Sequence, residues 1–157
     1  MWNPRPGDHR SATWPRIEAM AKFEGIVMRR VPGTVTPYTR PAQAATIFAA
    51  ETSSDEVTDA FHMRLYRAYW ADLENLGEHD VLKRLMLETG LDWDTFSPRL
   101  ESGYYDAMLQ QQHDEAMMIG LNGVPSFVID NKYGVVGAQP TETFIEIIEK
   151  VLSERDS

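Results

Sequence analysis

The chain changes texture once, near residue 121, and that change limits the fold more than any other feature of the sequence. Up to Gly120 the apolar residues recur at helical spacing. After it come two short β-rich runs, Ser126-Phe127-Val128-Ile129 and Tyr133-Gly134-Val135-Val136, separated by Asp130, Asn131 and Lys132. Two such runs about a polar turn predict a hairpin. Pro140 then falls in the first turn of a last helix. Phe144, Ile147, Ile148, Val151 and Leu152 share one face of it, to be laid against the sheet, and Glu142, Glu146 and Glu149 form a solvated face. The class is therefore α/β, strongly helical, with one domain over 1–157: a mainly helical region at 14–120 and a ββα end at 121–153.

The helical region divides at its punctuation. The first dozen residues, with Pro4, Pro6 and Gly7, read as irregular. From Thr13 a stripe of Ile17, Met20 and Ala21 predicts a short helix ending at Gly25, followed by an extended loop from Arg30 to Thr39. Pro41 opens the next helix, carried by Ala45, Phe48 and Ala49. Ser53 and Glu56 form a capping-box pattern ahead of Val57, Phe61, Leu65, Ala68 and Tyr69. Gly77 and Gly90 bracket a helix bearing Leu82, Leu85 and Met86. Asp92 starts one with Trp93 and Phe96, which Pro98 should kink or shorten. Ser102 is expected to open a longer helix, with Tyr105, Met108, Leu109 and Ile119 on one face. Methionines at such spacing, Met108, Met117 and Met118, read as core filler. Tyr66, Tyr69 and Trp70 read as the packing face of their helix.

Charge and cysteine content exclude several functions. Residues 1–50 hold 7 Lys/Arg against 3 Asp/Glu and residues 51–157 hold 8 against 21, so the segments carry +4 and -13 of the total -9. An acidic surface without a basic stripe repels phosphate backbones, so no nucleic acid partner is expected; Arg29 and Arg30 are the one adjacent basic pair of the basic first fifty residues. No apolar run reaches membrane length and the start lacks a signal-like stretch, so the expectation is a cytoplasmic protein with no membrane partner. There is no cysteine, hence no disulfide, thiolate ligand or cysteine nucleophile. His9, His62, His79 and His113 are scattered, and Glu78, His79 and Asp80 would fan out around a helix, so no metal and no cofactor are expected.

The most informative segment is Gly120-Leu121-Asn122-Gly123-Val124-Pro125-Ser126-Phe127-Val128-Ile129. Proline at a strand start cannot donate to the ladder, and the glycine two residues earlier permits an unusual backbone. By itself an X-Pro bond is trans by default. Helix, Gly-Val-Pro-x-Phe-Val-Ile, hairpin, Gly137-Ala138-Gln139-Pro140 and amphipathic helix together resemble the closing half of the DsbA-like thioredoxin-fold family, nearest its FrnE-type dithiol oxidoreductases. The likeness runs back to about Trp14, with the helices between Pro41 and Gly120 corresponding to that family's helical insertion.

The resemblance implies a cis Val124-Pro125 bond and a substrate-binding groove at Gly123, Val124 and Pro125, where the backbone of Val124 pairs with an extended peptide or small-molecule substrate. It also implies disulfide oxidation or isomerisation by a Cys-x-x-Cys motif on a preceding strand-helix-strand unit. Neither motif nor unit is identifiable before residue 14, so no catalytic residue is assigned and the 157 residues are expected to be redox-inactive. Two other readings remain: a redox-inert binding module, and a relative of the glutathione-linked kappa transferases and hydroxychromene-carboxylate isomerases, which can use serine. Ser11 is the one serine near the start, and it reads as part of a helix entry. In the fold implied, the strand 126–129 lacks a neighbour on one side. Met1–Gly7, Gly25–Arg30 or a second copy could cover it, and a homodimer is the expectation.

Overall fold

The computed structural model describes residues 10–29, 36–121 and 123–155. The segments that the sequence reading makes an irregular start (Met1–Gly7) and the first part of an extended loop (Arg30, Pro32 and Gly33) lie outside the described residues, as do His9 and Asn122. The chain forms two compact units, residues 1–109 and 110–157.

In the first unit α1 (Arg10–Phe23) begins ahead of the predicted Thr13 and ends as predicted at Gly25, where Ile26 N–H closes on Ala21 O at 2.7 Å. Helix α2 (Arg40–Thr52) has Pro41 in its first turn, where the missing N–H costs nothing. It presents Ala42, Ala44, Ala45, Phe48 and Ala49 to the interior. Small side chains let α3 (Asp55–Trp70), α4 (His79–Glu88) and α5 (Trp93–Glu101) approach it closely. The interior is closed by Phe61, Leu65, Leu82, Leu85, Met86 and a ring chain, Phe48 to Phe96 at 5.4 Å and Phe96 to Tyr105 at 5.7 Å.

Several local expectations are corrected. The Ser53/Glu56 capping box does not form, because Ser53 terminates α2 and turns its hydroxyl back to Ala49 O at 2.6 Å. Ser54 is the N-cap instead, and its hydroxyl holds the Glu56 carboxyl below its ordinary range. Asp92 does cap α5, accepting from Asp94 N–H at 2.9 Å and Thr95 N–H at 3.3 Å. Pro98 is contained within α5. Ser102 does not open the next helix: it ends α5, and Gly103 at φ +73° turns the chain in a conformation a side chain rarely adopts. Helix α6 (Asp106–Met118) starts only after Tyr105 and buries none of its residues. Met108 packs on the core, but Met117 and Met118 are exposed and not core filler. Tyr69 also packs on the core, whereas Tyr66 is exposed and no part of the packing face.

Charge pins α3 to α4. Arg64 on α3 meets Glu88 at 2.7 Å and Asp72 at 3.3 Å, while Arg84 on α4 bonds Glu74 and reaches Glu88 at 2.7 Å. Each pair is partly exposed and worth little alone, but the shared carboxylates make a network that fixes the helix spacing.

In the second unit β1 (Ser126–Ile129) and β2 (Tyr133–Val136) pair antiparallel, with Phe127 opposite Val135 and Ile129 opposite Tyr133. Asp130 and Asn131 make the turn at positive φ, which their short polar side chains tolerate. Helix α7 (Thr141–Arg155) lies on the face of Phe127, Tyr133 and Val135: Phe144 meets Phe127 edge-on at 5.0 Å, and Glu154 accepts from the Tyr133 hydroxyl at 2.6 Å. Glu142, Glu146 and Glu149 are exposed as expected. The apolar face of α7 is only half covered, for Val151 is buried but Ile148 and Leu152 are exposed.

Candidate functional site

The segment Gly123, Val124 and Pro125 joins the end of α6 to β1. Gly120, at φ +78°, stops the helix, with Leu121 N–H bonded back to Ala116 O at 2.9 Å. The Val124–Pro125 bond is cis. Pro125 O accepts from Gly137 N–H at 2.8 Å, so the ladder runs one residue beyond the strand and anchors the proline. The Ser126 hydroxyl donates to Gly123 O at 2.5 Å and closes a small turn around Val124. Val124 itself is 95% exposed. Among the described residues, no hydrogen bond engages its N–H or C=O.

Gly123 is used differently from the sequence expectation. Its φ is not positive, and an added Cβ would meet Val136 Cγ1 at an ordinary 3.5 Å, so the backbone freedom of glycine is not called on there. The φ +86° residue is Gly137, opposite Pro125 across the ladder.

The ladder also shows which backbone groups are free. Because Gly137 N–H bonds Pro125 O and Lys132 N–H bonds Ile129 O, the odd-numbered residues of β1 face β2, and Ser126 and Val128 turn their N–H and C=O outward. On β2 the outward groups belong to Gly134 and Val136, and of these the Val136 carbonyl is taken by Gln139 Nε2 at 2.9 Å. That is a physical role for Gln139 that the sequence reading missed. A side-chain amide three residues past a strand end was its one signal.

No ionisable side chain lies between Gly120 and Ile129. Among the described residues, the ion pairs of this unit sit at the far end of the hairpin. There Arg155 bonds Asp130 and, with Lys132, holds its carboxyl below the ordinary range; the Tyr133 hydroxyl, helped by Lys132, does the same for Glu154. The segment thus offers an apolar side chain and main-chain groups, suited to holding an extended backbone and supplying no proton or nucleophile. Among the described residues no group of three His, Asp or Glu side chains could hold a metal ion, and no helix is long and apolar enough to cross a membrane.

Residues 10–149 match the family model described as a DSBA-like thioredoxin domain. The chain belongs to that family. Over 142 residues it is 28% identical to the uncharacterized protein YwbO of Bacillus subtilis strain 168, spanning 88% of this chain and 66% of YwbO. It superposes with a TM-score of 0.78 and 27% identity on a probable DsbA oxidoreductase from Streptomyces coelicolor, over 94% of this chain and 62% of that one. A candidate protein disulfide isomerase from Nitrosomonas europaea gives a TM-score of 0.75 over 98% of this chain and 78% of that one; at 17% identity the likeness is one of fold. The chain spans just under two thirds of the length of the Bacillus and Streptomyces proteins. The fold is accordingly thioredoxin-like and mostly helical, with a C-terminal antiparallel hairpin, as the family resemblance implied.

Proposed function

We propose that this chain is the substrate-holding part of a FrnE-type dithiol oxidoreductase and that the 157 residues alone do not exchange disulfides. The observation that carries the reading is Val124 itself, 95% exposed and with no partner for its N–H or C=O among the described residues, fixed between the Pro125 anchor and the Ser126 to Gly123 turn. An extended peptide adds to such a backbone through main-chain hydrogen bonds and needs no catalytic side chain. The tetrapeptide Gly137-Ala138-Gln139-Pro140 supports the dithiol branch. Exchange requires a thiolate to attack a sulfur and a second thiol to resolve the mixed disulfide, and the sequence contains no cysteine for either step.

Two measurements test this. Titration with an unstructured peptide should shift the Val124 amide resonance and leave the α2 amides in place; an unmoved Val124 would count against the groove. In an insulin-reduction assay the protein should match the blank. A fusion supplying a strand-helix-strand unit with Cys-x-x-Cys should turn over, and activity of the unfused chain would defeat the redox-inert part.

A further inference from the structure

We propose that Gln139 is a positioning residue for the groove at Gly123, Val124 and Pro125, acting as a latch on the peptide unit that joins Val136 to Gly137. The inference rests on the groove reading given above. That peptide unit is gripped at both ends: its N–H, from Gly137, donates to Pro125 O at 2.8 Å, and its C=O, from Val136, accepts from Gln139 Nε2 at 2.9 Å. The two bonds leave opposite sides of one planar group, so together they fix its rotation. Turned over, the same plane would carry the Gly137 N–H away from Pro125 O. Glycine makes that rotation easy, since it adopts φ of either sign and stands here at +86°. The amide of Gln139 restrains a freedom that Gly137 introduces.

The latch springs from a restrained base. Pro140 follows Gln139 and steers its backbone out of the helical region, while Pro140 O is itself tied to Thr143 N–H at 3.1 Å in the first turn of α7. The carboxamide lies over Gly137, where an added Cβ would stand 3.5 Å from Nε2. A donor on the C=O of a peptide group also polarises it and strengthens its N–H as a donor, here toward Pro125. What the latch holds is one residue from Val124. Pro125 O, bonded to Gly137, and Gly123 O, which accepts from the Ser126 hydroxyl at 2.5 Å, are the fixed points on either side of it. None of these contacts uses the outward backbone groups of β1, so the latch acts whether or not a strand lies beside them.

Two substitutions of matched length test the latch in the 157-residue protein. Gln139→Met removes the amide, and Gln139→Glu keeps a polar end but offers acceptors where a donor is needed. In both, hydrogen exchange of the Gly137 amide should quicken about fivefold before any peptide is added, the worth of one neutral hydrogen bond, while the inner ladder amides of Phe127 and Val135 keep their rates. Affinity for oxidised insulin B chain, followed at the Val124 amide resonance, should fall by a similar factor with the urea midpoint unmoved. A glutamine that only stabilised the hairpin would instead lower that midpoint and quicken the whole ladder, and this result would overturn the proposal. So would an unchanged Gly137 amide, or a loss confined to Gln139→Glu, which would trace to charge and not to the missing donor. A parent protein that does not take the B chain at Val124 fails the groove reading and the positioning role with it, whereas parent binding that survives both substitutions sinks the latch alone.

Discussion

The two units solve the burial problem to different extents. In the first, α2 to α5 and Tyr105 close around Phe96, and every apolar face of α2 finds a neighbour. In the second, Val135 and Val151 are the buried apolar residues among those described, while Val124, Val128, Val136, Ile145, Ile148 and Leu152 stay exposed. Four short helices around an alanine-rich centre have enough mutual surface to exclude water. A two-stranded ribbon with a single helix on one face does not, because one sheet face and most outward backbone groups of both strands stay unmatched among the described residues. The lesson is that the helical part is self-sufficient and the ββα part is built to be added to.

The sharpest challenge to that contrast is truncation on each side of it. Phe96→Ala removes a ring held among Phe48, Trp93 and Tyr105 and should cost about 3–5 kcal/mol by urea denaturation. Ile148→Ala, on the uncovered stripe of α7, should cost a small fraction of that in monomeric protein. Equal costs would dissolve the distinction.

Acid should separate the units next. Asp130 and Glu154 are held below their ordinary values by Arg155 and by the Tyr133 hydroxyl respectively. Groups depressed in the fold contribute fully above the ordinary carboxylate range, about pH 4, and lose that contribution as pH falls through their folded values. The clamp between the hairpin turn and α7 therefore loosens on acidification. The first unit loses its Arg64–Glu88 and Arg84–Glu88 pairs as well but keeps its apolar interior. Hydrogen exchange near pH 3 should show β1, β2 and α7 opening before α2, and simultaneous loss would break the comparison.

The smallest effect concerns a flaw inside the closed unit. Tyr105 is 1% exposed, and its hydroxyl finds no partner in hydrogen-bond geometry. Burial pushes its phenol up, with Arg99 pulling the other way. Tyr105→Phe should thus change stability by no more than about 0.5 kcal/mol, or raise it. A raised phenol keeps its contribution below the ordinary value of about 10 and loses it as pH rises beyond that toward the folded value, so the alkaline decline of the parent should be shallower in the Phe variant. A loss of several kcal/mol would show that the hydroxyl is bonded after all.

Much of this organisation was legible in the residues, and the reason is range. The hairpin, α7 and the Asp92 cap are set by neighbours within four or five positions, and each appears where the pattern put it. The candidate segment 123–125 was legible as a motif, and the comparisons agree on its family. What the sequence hid depends on distant packing. Ser53 and Ser54 are equivalent locally, and only the end of α2 decides between them. Met117 and Met118 follow the same period as Met108, yet they extend past the surfaces that cover it. Gln139 stood in a family tetrapeptide with no hint of the carbonyl it would meet.

That contact of Gln139 with Val136 bears on how far assembly can go. A ribbon open along both sides is a monomer unit for a fibre, since each addition regenerates an acceptor at the growing end. The amide closes one group only: on the outer side of β2 the N–H and C=O of Gly134 and the N–H of Val136 keep no partner among the described residues. One glutamine thus blocks the end of that side next to Gly137 and leaves the stretch toward the turn open to an incoming strand.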